Sequence, residues 1–136
     1  MKYLILTILL ILIPLSTSAS IESDINKVRK ENGLTTLSVN KSLVRTSAFK
    51  VNDMLFHHYF AHINPFGDGF LNVYKRFKVR WEIAGEILAR GYQGKELIDA
   101  WLASPTHKDV IMGINYHNIG CYQKNGITTC HFTIDF

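Results

Sequence analysis

The segment Cys121-Tyr122-Gln123-Lys124-Asn125-Gly126-Ile127-Thr128-Thr129-Cys130 carries its own pairing instructions. Asn-Gly is the strongest short hairpin signal, because both central residues of a type I′ turn need positive φ. A two-residue loop sets Lys124 opposite Ile127, Gln123 opposite Thr128, Tyr122 opposite Thr129 and Cys121 opposite Cys130. Alternation along the ladder puts the two cysteines at a non-hydrogen-bonded position, where Cα atoms approach to about 4.5 Å. That spacing suits a disulfide, and an oxidising compartment would close it. In the chain-entropy picture such a ten-residue ring contributes about 2.7 kcal/mol. The alternative, a reactive thiol pair or metal-binding pair, needs further ligands that the segment lacks.

Upstream of this hairpin, Ser104-Pro105 predicts a helix start, with Ser as N-cap and Pro at the first position. Lys95 to Ala103 reads as a helix burying Leu97, Ile98 and Trp101. Val79, Trp81 and Ile83 alternate with Arg80 and Glu82, which predicts a strand, with Glu86 near its end after Ala84-Gly85. Asn64-Pro65, Gly67 and Gly69 predict a loop region that includes Phe66, Phe70, Tyr74 and Phe77. Asn40 can cap a long helix whose apolar residues Leu43, Val44, Ala48, Val51, Met54 and Leu55 recur at spacings of three and four. A first helix fits Glu22 to Asn32, burying Ile25 and Val28 and stopping at Asn32-Gly33. Helices around a small antiparallel sheet define an α+β class.

The chain has 136 residues, 47% of them apolar, a length that suits one domain. Apolar residues concentrate at the start. Lys2, a 13-residue run from Tyr3 to Leu15 and the small tail Thr17-Ser18-Ala19 read as an export signal over residues 1–19. An uncleaved anchor is the alternative, although about 20 apolar residues are needed to span a bilayer. Cleavage would leave a single domain over 20–136, secreted or held at the cell surface and not integral to the membrane. The formal charge of the whole chain is +4, mildly basic, which does not point to nucleic acid. Lys75, Arg76, Lys78 and Arg80 are the one local concentration of cations. They read either as a surface for an anionic head group or glycan, or as a solvated loop.

Six histidines invite a search for metal or acid–base chemistry. His58 and His62 are four apart, but Tyr59 stands where a metalloprotease helix needs glutamate. His57, His58 and His117 read as surface or partly packed residues. His107 falls in a first helical turn, where the helix dipole disfavours imidazolium and leaves a neutral ring able to ligate a metal or take a proton. Glu86 is placed to present a carboxylate to a cleft. Glu82 shares its strand face, but four extended residues span about 13 Å, too far for one ion without a bend at Gly85. No Gly-x-Ser-x-Gly elbow surrounds any serine.

The ordered pieces Asn26-x-x-Arg29-x-x-x-Gly33-Leu34-x-x-Leu37, then Leu43, Ala48 and Met54, then Tyr59-Phe60-Ala61-His62-x-Asn64-Pro65 form a recognisable pattern. Ala84-Gly85-Glu86, Trp101-x-x-Ser104-Pro105-x-His107 and Ile119-Gly120 continue it. Together they resemble the CAP superfamily (cysteine-rich secretory proteins, antigen 5 and pathogenesis-related 1 proteins), in particular its small bacterial SCP-like members. The resemblance implies an α-β-α sandwich with a central cavity lined by histidines and acidic residues, which in some members takes zinc or another divalent cation. It matches His62, Glu86 and His107 to that set. Glu82 is a weaker candidate, and His131 could replace a ligand or pack in the sheet. Three positions depart from the pattern: Ile87 replaces an asparagine, Thr106 a glycine, and Lys108-Asp109-Val110 an Arg-x-Asn stretch.

Three functions follow as expectations. The first is an exported binding module for an extracellular protein, glycan or lipid. The second is a metal-dependent hydrolase or peptidase using Glu86 and His107 with His62. The third is sterol or fatty-acid binding in a groove formed by Phe66, Phe70, Tyr74 and Phe77.

Overall fold

A computed structural model describes residues 19–134. The apolar run expected as an export signal lies outside these residues, apart from Ala19. The elements are α1 (Ile21–Glu31), β1 (Ser38–Val39), α2 (Lys41–Phe56), α3 (Phe70–Arg76), β2 (Ile83–Arg90), α4 (Gly94–Ala103), α5 (Pro105–Ile111), β3 (Asn118–Lys124) and β4 (Ile127–Ile134). The sheet runs β1-β3-β4-β2. α1, α4 and α5 cover one face and α2 and α3 the other, an α-β-α sandwich.

The hairpin has the expected register at all four pairs. Asn125 and Gly126 take φ of 48° and 76°, and Cys121 and Cys130 form a disulfide with Cα atoms 4.1 Å apart. β1 corrects the expectation of a purely antiparallel sheet: its two residues run parallel to Asn118 and Ile119 of β3. Asn26 on α1 fixes that pairing from below. Its side chain accepts from Leu37 N at 2.7 Å and donates to Leu37 O at 2.9 Å.

Arg29 is buried and ties α1 to the end of α5. Its Nη1 donates to Ile111 O and Gly113 O at 2.7 and 2.8 Å, and its Nε to Thr35 O at 2.9 Å. These bonds satisfy carbonyls that a helix end would otherwise leave unpaired. Gly120 lets α2 cross β3 in close contact, since a Cβ there would lie 2.2 Å from Val44 N. Ser47 Oγ closes that crossing by donating to Gly120 O at 2.7 Å.

Three further expectations shift. The buried face of α2 is Leu43, Thr46, Ser47, Lys50, Val51 and Met54; Val44, Ala48 and Leu55 are half-buried. The helix is rotated toward its polar residues because partners for them wait on the sheet. The strand expected from Val79 begins at Ile83, where β4 first supplies a partner in Ile134. Phe70 to Phe77, expected as loop, folds as α3 and its cap, and the spacing of Phe70, Val73, Tyr74 and Phe77 is itself helical.

Candidate functional site

Glu86 sits in mid-strand, not at a strand end, paired with His131 across β2 and β4. Its carboxylate is buried and both oxygens are engaged. His62 Nδ1 donates to Oε1 at 2.7 Å and His131 Nε2 to Oε2 at 2.8 Å. Burial alone would raise the Glu86 pKa, but the hydrogen bonds from His131 and His62 outweigh it and hold the acid below its ordinary value. His131 is fully buried, between the rings of Phe70 and Tyr74. Desolvation lowers its pKa despite the Glu86 carboxylate, which keeps the ring neutral. With Nε2 protonated toward Glu86, Nδ1 accepts from Thr46 Oγ1 at 2.7 Å. The chain from α2 through β4 and β2 to the His62 loop is therefore one hydrogen-bonded path.

Lys50, one turn beyond Thr46, is also buried. Its Nζ donates to His62 O at 2.9 Å and Tyr59 Oη at 3.2 Å, and Tyr59 Oη donates to Asp53 Oδ2. Burial lowers the Lys50 pKa, while Glu86 and Asp53 oppose that shift. The tyrosine hydroxyl is pushed upward by burial and by Asp53, so it stays protonated. Lys50 thus supplies the positive charge that offsets two carboxylates. It also lines a cavity of about 250 Å³ together with Phe49, Asp53, Phe66 and Arg76.

Hydrogen bonds join His62, Glu86 and His131; His107 makes none to them but lies close enough to His62 for the two rings' charges to interact. His107 lines a separate cleft with Trp101, Phe60 and Arg90, and its Nδ1 pairs with Ser104 Oγ at 2.9 Å. Ser104 occupies the N-cap position of α5 but its side chain bonds this ring and not the helix backbone. Burial, and then the nearby His62, lower the His107 pKa, the direction expected from the helix position. Glu82 is exposed, outside β2. Lys75, Arg76, Lys78 and Arg80 are exposed around the end of α3. Sequence reasoning passed over Thr46 and Lys50, although their spacing within the Leu43–Met54 stripe marks them as buried.

The donor set does not fit a three-ligand metal ion as it stands. Among the described residues no group of three or more His, Cys, Asp and Glu side chains is placed to hold one. Glu86 accepts one imidazole proton on each oxygen, which orients both rings, and the bond at Nδ1 leaves Nε2 of the half-exposed His62 as the ring atom that could meet a ligand.

The fold and the polar core define a class that comparison with known proteins identifies. Residues 23–136 match the sequence profile of the cysteine-rich secretory protein family (CAP), and the chain belongs to it. YkwD, an uncharacterized protein of Bacillus subtilis (strain 168), is 30% identical over 103 residues, which are 74% of this chain and 40% of that protein. The chain therefore spans about two fifths of that relative's length. An outer surface protein from Borrelia burgdorferi has the same fold, with a TM-score of 0.78 at 22% identity over 85% of this chain and 90% of its own. An extracellular SCP-domain protein from Bacillus anthracis gives 0.77 at 23%, covering 80% and 37%. Among the described residues no helix is long and apolar enough to cross a membrane.

Proposed function

We propose that the chain is an exported CAP-domain binding module whose Glu86 network is a structural strut. The observation that carries this reading is the double engagement of Glu86 by His62 and His131. Each oxygen of this buried carboxylate accepts an imidazole proton, so the group joins the His62 loop to β2 and β4 and faces inward. The disulfide and the apolar N-terminal run support export, as do the surface and extracellular descriptions of the two solved relatives. The ligand then meets the outer faces of the sandwich, at an envelope or host surface.

The lipid-groove reading draws less support. Tyr74 is buried, Phe70 stacks on His131 and Phe77 packs on Phe49. These rings complete the core, with Phe66 alone among the four expected residues standing out from it. Turnover assays on peptide and ester substrates at neutral pH, with and without added zinc, test the main reading. The expected result is no turnover above a His62→Ala control. Reproducible hydrolysis that disappears in both His62→Ala and Glu86→Ala overturns it in favour of a hydrolase.

A further inference from the structure

Arg45, Phe49, Asn52 and Phe56 recur at spacings of four, three and four, so they form one stripe along α2, about 16 Å long at helical rise. This stripe runs beside the Thr46–Lys50 row, and Phe49 and Lys50 line one cavity. α3 lies beside it and the two helices exchange contacts reciprocally. Arg45 of α2 rests 5.5 Å over the ring of Phe77, and Arg76 of α3 rests 4.9 Å over the ring of Phe49. The two rings meet edge-on at 5.5 Å. Stacking holds both guanidiniums in place without using their N–H donors. Among the described residues neither has a carboxylate partner. Lys124, at the tip of the hairpin, joins the same face through Asn52.

Two exposed rings share this face, Phe66 in one cavity with Arg76 and Phe56 at the far end of the stripe from Arg45, near Lys124. Phe56 is 77% exposed and Phe66 69% exposed, and both pack edge-on against His57 between them. Phe66 shares its cavity with Arg76 and Phe49, and Phe56 shares the adjoining one with Phe49 and Lys124. Asp53 and Asp68 also line the first cavity; Lys50 offsets the charge of Asp53, while Asp68 accepts from Asn72 and keeps its charge.

We propose that the α2–α3 face docks on an anionic lipid bilayer, with Arg45 and Arg76 on the lipid phosphates and Phe56 and Phe66 in the interfacial layer. The proposal rests on the exported binding-module reading and names its partner. A soluble phosphate polymer would account for the fixed guanidiniums but would leave two large exposed rings beside them without a role. A bilayer accounts for both, since phosphate and apolar surface lie within a few ångströms in depth.

The test is co-sedimentation of the exported, processed chain with vesicles of phosphatidylglycerol in phosphatidylcholine, and with phosphatidylcholine alone. Binding is expected to the anionic vesicles, weakening as salt rises. Arg45→Glu with Arg76→Glu should weaken it by about tenfold or more, and Phe56→Ser with Phe66→Ser by several-fold. All four side chains are exposed, so both variants should stay folded, with the unfolding midpoint lowered only by the lost surface ring contacts. Equal sedimentation of wild type and both variants overturns the proposal. So does a loss confined to the arginine variant together with full competition by soluble polyphosphate, which assigns the face to a phosphate polymer. Neither result touches the turnover test of the binding-module reading.

Discussion

Toward α1, α4 and α5 the sheet presents Ile87, Ile119, Cys130 and Phe132, which pack with Ile25, Leu97 and Trp101. Toward α2 and α3 it presents Glu86 and His131 beside Leu88 and Ile127, and the helix above answers with Thr46, Ser47 and Lys50 as well as Val51 and Met54. On the first face, stability follows volume, because apolar contacts are non-directional and scale with buried area. On the second it follows pairing, because each buried polar atom must find its partner. A single sheet therefore carries one face tolerant of shape-conserving change and one that is intolerant of losing half a pair.

The largest expected effect falls on the apolar face. Trp101 is almost fully buried and its Nε1 donates to Leu88 O at 2.9 Å, on β2 at the edge of the sheet. Trp101→Ala should cost about 3–5 kcal/mol, read as a fall in the urea midpoint; a loss below about 1 kcal/mol would show that this face does not bear the load.

A smaller but more telling effect belongs to the polar face. Glu86→Ala should cost about 1–3 kcal/mol by leaving buried His131 without its acceptor. His131→Phe should restore part of that loss in the double variant, since the ring contacts to Phe70 and Tyr74 survive while the orphaned donor goes. A coupling energy of about 0.5 kcal/mol or more in the four-protein cycle is expected. Strict additivity would mean that volume, not pairing, governs this face too.

The smallest effect is a pH slope that only the polar face and the His107 cleft possess. His131 and His107 have folded pKa values below their ordinary 6.5, so the folded state binds fewer protons than the unfolded state below that pH. Their contribution is complete above pH 6.5 and is lost as the pH falls through the folded values. Glu86 acts in the same direction at lower pH, below its ordinary 4.5. Denaturant titrations between pH 7.5 and 5 should show stability falling on acidification (about one proton per titrating histidine). His131→Phe should flatten the fall, with a residue from His107. An unchanged slope in that variant would remove His131 from the account.

Local chemistry made much of this architecture legible. The Asn125-Gly126 turn fixed a register of four pairs and the disulfide, because a two-residue loop leaves no freedom to slip. The cap at Asn40 and the proline at position 105 marked helix starts through bonds and dihedrals confined to a few residues; the cap at Ser20 was not read. β2 was misjudged at its start because alternation from Val79 to Ile83 records side-chain polarity, whereas a strand also needs a neighbour, and β4 reaches only to Ile83.

The site divided in the same way. His62 and Glu86 were identified from their motifs, and the structure joins them. His107 was identified too; its Nδ1 pairs with Ser104, and its ring lies close enough to His62 to feel that ring's charge. The third member of the network is His131, forty-five residues from Glu86 in the chain and adjacent to it in the sheet. Sequence by itself determined the hairpin turn, the Asn40 cap and most helix starts, because those depend on neighbours a few residues away. Tertiary structure decided which carboxylate met which imidazole, and that Arg76 of α3 would rest on Phe49 of α2 while Arg45 of α2 rests on Phe77. Those contacts exist only after strand order and helix crossing bring distant residues within hydrogen-bond and stacking range.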